Sequence, residues 1–67
     1  MYPMTYCSFE REGAVMISVV WADSSGLILQ VIGEGNFDNW IGTEHTLHTN
    51  RLLQAGWKVN SRGKVFL

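Results

Sequence analysis

Apolar and polar residues alternate most clearly over "AVMISVVWA" (14–22). Val15, Ile17, Val19 and Trp21 share one side, and Ala14, Met16, Ser18, Val20 and Ala22 share the other. A two-residue period is that of a β-strand, and the β-branched residues favour its pleat. Both sides are largely apolar, which predicts a strand inside a sheet rather than at its edge. Upstream, "YCSFE" (6–10) runs into "EREG" (10–13), where Gly13 supplies the positive φ that closes a hairpin. Downstream, "DSSG" (23–26) turns the chain into "LILQVIG" (27–33), a third strand of the same character. The three strands predict an antiparallel meander.

"GEGNFDNWIG" (33–42) breaks the period and reads as a loop with one short helical turn around Trp40. Beyond it, Thr43 is the expected N-cap of a helix over about 44–55, with Glu44 in its first turn and Gly56 as the residue that ends it. One seam of that helix, at spacings of four and three, holds Ile41, His45, His48, Leu52 and Ala55, and is expected to face the sheet. The remaining "WKV", "NSRG" and "KVFL" predict a closing hairpin, with Trp57 and Val59 opposite Val65 and Leu67. The predicted order is β-β-β-α-β-β, an α+β fold with a small antiparallel sheet and one helix packed on one of its faces. Residues 1–67 form one domain, without repeat or linker.

Composition strengthens this picture. A 67-residue chain buries only about 60% of the surface its unfolded form exposes. Here 46% of residues are hydrophobic, and three Trp, three Phe and two Tyr each bring large burial to a small core. So much apolar surface in so short a chain predicts that some of it is covered by a second copy or by another protein. Charged residues make up 16% of the chain and the net charge is −1, which excludes disorder. Cys7 is the only cysteine, so no internal disulfide forms, and a reducing, cytoplasmic setting is expected. The start, Met1-Tyr2-Pro3-Met4, lacks the pattern of a signal peptide, and no apolar run reaches membrane-spanning length.

The two histidines, three apart beside Glu44, raise metal or acid–base chemistry. A stable zinc site needs a third and usually a fourth ligand, and no spacing supplies one. "EHTLH" also differs from the zincin arrangement, in which the histidines stand four apart and the glutamate follows the first. Both histidines are therefore expected at the buried boundary of the helix, each with one satisfied nitrogen. Cys7 is expected to be an inert strand residue. The glycine-rich loop lacks the Lys-Ser/Thr of a phosphate cradle. No catalytic residue, cofactor or metal is expected.

Charge is divided along the chain. Residues 1–44 hold Arg11 against Glu10, Glu12, Asp23, Glu34, Asp38 and Glu44, a balance of −5, whereas 45–67 hold Arg51, Lys58, Arg62 and Lys64 without an acid, +4. Trp57, Lys58, Arg62 and Lys64 thus outline a basic, aromatic tail of the kind that binds single-stranded nucleic acid. The acidic overall balance opposes that reading, because such binders are generally basic. "LLQAGW" with the strands after it resembles the helix–Gly–Trp–hairpin joint of HicA-type toxins, small RNA-cleaving domains, and that of small bacterial domains ending in helix, Glu-Gly-Trp-Glu, strand. The toxins carry a histidine in that hairpin. Ser61-Arg62-Gly63-Lys64 has none, so the resemblance implies no such activity.

The leading expectation is a non-enzymatic interaction module, an accessory or inhibitory factor of bacterial or phage type that docks on a protein. Phe37, Asp38, Asn39 and Trp40 are its expected contacts, because two aromatic rings in a Gly/Asn-rich loop make good anchors. The alternative is a nucleic-acid-binding module using the basic tail.

Overall fold

The computed structural model describes residues 3–13 and 15–66; Ala14, Leu67 and the Phe66 side chain lie outside them. Three strands, β1 (Pro3–Arg11), β2 (Val15–Ala22) and β3 (Ile28–Gly33), form the expected meander. A short 3-10 turn at Asp38–Trp40 and one helix, α1 (His45–Gln54), lead to β4 (Lys58–Phe66). All neighbouring strands are antiparallel, in the order β3-β2-β1-β4. The fold is α+β, with a four-stranded sheet and α1 on one face. The turn between β1 and β2 places both Glu12 and Gly13 at positive φ.

The predicted closing hairpin does not form. β4 is a single nine-residue strand that pairs with β1 along its whole length, from Pro3↔Phe66 to Glu10↔Lys58. β1 has the meander on one edge only, and its other edge offers more ladder than a short hairpin arm would satisfy. "NSRG" is absorbed in two ways. Asn60 falls at a bulge where the register shifts between Ser8 and Phe9. Gly63 sits opposite Tyr6, whose ring lies so close that a Cβ there would come within 2.9 Å of Tyr6 Cε1. The glycine serves close approach rather than a turn.

The helix-covered face carries the core: Cys7, Phe9, Ile17, Val19, Trp21, Ile28 and Leu52, with Phe9, Val19 and Ile28 fully buried. Each such side chain contributes about 1.5–3 kcal/mol by leaving water. α1 is tied down at both ends. Segment 42–45 runs beside the start of β3, with Ile28 N–H donating to the Thr43 carbonyl at 2.8 Å, Gly42 N–H to the Ile28 carbonyl at 2.8 Å and His45 N–H to the Gly26 carbonyl at 2.9 Å. This pairing moves the cap by one residue. Glu44, not Thr43, is the N-cap, its carboxylate accepting from Thr46 N–H at 3.1 Å, while the Thr43 hydroxyl donates to the Trp40 carbonyl at 2.6 Å. At the other end Trp57 N–H donates to the Leu52 carbonyl and Gly56 N–H to that of Leu53. Gly56 holds φ 95°, the left-handed turn of a Schellman stop, and Trp57 packs against the core beyond it.

Candidate functional site

Alternation along each strand gives the sheet a second face, and among the described residues no element covers it. Its floor is Ser8 and Ser18, opposite each other on β1 and β2, with their hydroxyls 2.7 Å apart. Leu29, Gln30 and Ile32 of β3 rise on one side, Tyr6 of β1 and Val65 of β4 on the other, and Met4 and Val20 complete a trough of about 870 Å³. Leu29 and Ile32 are 48% and 56% exposed, and Met16 on the same side of β2 is 40% exposed. No ionisable group other than the Tyr6 phenol lines the trough. The nearest charges by register are Glu10 and Lys58, paired across β1 and β4 at one end. The serine pair shares one hydrogen bond, so a partner that buries it has a single O–H donor left to satisfy.

This face was not among the sequence expectations. The signal was present in Met16, Ser18, Val20 and Ala22, because a single helix covers only one side of a sheet.

The loop residues are placed differently from one another. Phe37 and Trp40 are half-buried and turn inward onto the core, edge to face at 5.0 Å between ring centroids. Asp38 and Asn39 stay exposed. The loop thus offers two small polar side chains and only the outer parts of its rings.

The four basic-tail residues do not converge. Register puts Arg62 and Lys64 on the helix-side face, opposite Cys7 and Thr5, and Lys58 on the other, opposite Glu10. Arg62 lies 5.9 Å from the centroid of Trp21. Lys64 Nζ donates to Asp23 Oδ2 and to Thr5 Oγ1, each at 2.8 Å. Those Lys64 and Thr5 donors hold the Asp23 carboxyl below its usual range. Trp57 is half-buried, with Arg11 5.9 Å from its ring centroid.

The histidines are packing elements. His45 stacks on Trp21 at 3.8 Å and 2°, and His48 on Trp40 at 4.3 Å and 14°. His48 is buried; desolvation and the nearby Arg51 charge hold its pKa below the usual value. His45 Nε2 faces Glu44 Oε1 at 3.5 Å, whereas Nδ1 is buried without a hydrogen-bond partner. The expectation of one satisfied nitrogen on each ring is met at neither by a close hydrogen bond; flat contact with tryptophan takes its place. Cys7 lies in the core, where burial pushes its thiol pKa up despite Arg62. Among the described residues, no three His, Cys, Asp or Glu side chains gather in a way that could hold an ion.

Comparison with protein families, curated proteins and solved structures found no match.

A catalytic base needs a proton within about 3 Å and room for substrate beside it. Here the two imidazoles are sandwiched against indoles, and the one thiol is enclosed. The trough offers shape and apolar surface, with the Tyr6 phenol and the Gln30 amide at its edges. Among the described residues, no helix is long and apolar enough to cross a membrane.

Proposed function

We propose that the protein is a non-enzymatic interaction module that docks on protein through the open face of its sheet, in the manner of an accessory or inhibitory factor. The observation that carries this reading is the uncovered trough between Leu29–Ile32 and Tyr6–Val65. It is apolar and uncharged, and its central hydroxyls are already paired. Exposed apolar patches of this kind on a small domain mark interaction surfaces. The face replaces the 37–40 loop as the main contact, because Phe37 and Trp40 spend much of their area on the core. Asp38 and Asn39 remain exposed, away from the trough.

The nucleic-acid alternative is weakened by the dispersal of its cations. Lys64 is engaged by Asp23, Arg62 lies by Trp21, and Lys58 belongs to the opposite face. A surface that tracks a phosphate backbone needs its charges in one stripe.

A photo-crosslinking residue placed at Gln30 tests the docking reading in cells, with the same residue at exposed Leu47 of α1 as the control. Cross-linked product is expected from position 30, not from position 47, and is expected to vanish when Ile32→Glu is added. Absence of product at position 30 would sink the proposal. Retention of a single-stranded oligonucleotide at low salt, lost as salt rises, would transfer support to the alternative.

A further inference from the structure

We infer that the occupant of the open face is a second copy of this chain, the two sheets packing face to face about a twofold axis; this rests on the docking reading above. Charge is the first argument. Of the ionised side chains, only Glu10 and Lys58 belong to this face by register, and they stand opposite each other at its end. The others lie in turns, on α1 or on the helix-side face. A twofold mate therefore sets no like charges together across the trough. A phosphate backbone, a lipid headgroup or a charged peptide would find no counter-charge there. With a net charge of −1 per copy, long-range repulsion between mates is weak.

Relief is the second argument. Leu29 and Ile32 form a ridge along β3, and the floor beside them is two small serines. A twofold axis that runs along the strands and is displaced toward β3 lays the ridge of each copy over the serine floor of the other, so one asymmetric face is its own complement. Side chains on two packed sheets interdigitate in this way, with the sheets about 10 Å apart.

Area is the third. Four strands about 4.8 Å apart, each roughly seven residues at about 3.3 Å, make a face of roughly 19 by 23 Å. Two such faces bury at most roughly 900 Å² when fully superposed, below the about 1,200–2,000 Å² of stable interfaces and in the range of weak, reversible ones. The dimer is accordingly one that dissociates on dilution. The free edge of β4 is a poorer route to self-association. The Asn60 bulge interrupts its ladder, and Lys58, Arg62 and Lys64 place three charges along it.

Sedimentation equilibrium of the full chain between about 10 μM and about 1 mM tests this. The weight-average mass is expected to climb from 7.6 kDa toward twice that value. Ile32→Glu and Leu29→Glu, both at exposed positions that a folded monomer tolerates, are expected to hold the mass at 7.6 kDa throughout. Leu47→Glu is expected to leave the association unchanged. A wild-type chain that stays at 7.6 kDa at the highest concentration overturns the inference, as does an Ile32→Glu chain that still associates. The position-30 cross-link separates this failure from that of the docking reading. Product at twice the chain mass supports the second copy. Product with a different protein overturns the second copy and keeps the docking reading, and no product overturns both.

Discussion

His48 is the residue whose surroundings most constrain its chemistry. It is 8% exposed, stacks on Trp40 and lies near Arg51, and both burial and that charge favour its neutral form. The sign of the pH effect follows. The unfolded chain binds this proton near pH 6.5, and the folded one only at lower pH, so the contribution to stability is complete above about 6.5 and falls away as pH drops through the folded value. The thermal midpoint is expected to be flat from about pH 8 to 7 and to decline below about 6.5, with His48→Gln flattening that decline. An equal acid decline in His48→Gln would assign the effect elsewhere. Gly63 is the other residue under tight constraint. Gly63→Ala drives a methyl into the Tyr6 ring and is expected to cost about 1–3 kcal/mol in urea unfolding. Much of that loss is expected to disappear in a Tyr6→Ala background, because the two side chains meet directly.

At the scale of the element, α1 is held by one narrow stripe and two ends. Only His48 and Leu52 of its ten residues are buried, while Leu47 and Leu53 point to solvent. Leu52→Ala is expected to lose about 2–5 kcal/mol, against less than about 0.5 for Leu47→Ala, which is 54% exposed. Similar losses at both positions would mean that the helix packs by a different face. The ends of the predicted seam, Ile41 and Ala55, are exposed, because the helix begins and stops inside them. β4 shows the opposite weighting. Its local residues favour a turn, but the free edge of β1 holds the chain straight through them.

For the whole molecule, the arrangement is two-layered: core between α1 and the sheet, then an unoccupied sheet face. If a second copy occupies that face, folding and association are linked by mass action, and the thermal midpoint depends on protein concentration. It is expected to rise by several degrees across a hundredfold increase in concentration, since about 1 kcal/mol moves the midpoint of so small a domain by roughly 4–8 °C. Ile32→Glu is expected to remove the dependence. A midpoint independent of concentration in the wild-type chain would argue for a monomer whose face waits for another partner.

By itself the sequence determined what local patterning encodes. The meander, the brief turn at Trp40, the helix near 44–55 with Gly56 beyond it, and the apolar character of both sides of β2 all follow from period, turn chemistry and caps, which act over a few residues. The placement of both histidines on the inward seam, His48 buried and His45 at its boundary, was legible in part for the same reason. Only the tertiary structure decided the rest. Which rings the histidines stack on depends on Trp21 and Trp40, brought to α1 from β2 and the loop. Whether 58–66 bends or runs straight depends on the unpaired edge of β1, far away in sequence. The open face arises because one helix must choose a side, and the apolar residues of the other side then stand together. Alternation marks both faces of a strand alike; which of them is covered is settled by the path of the chain after β3.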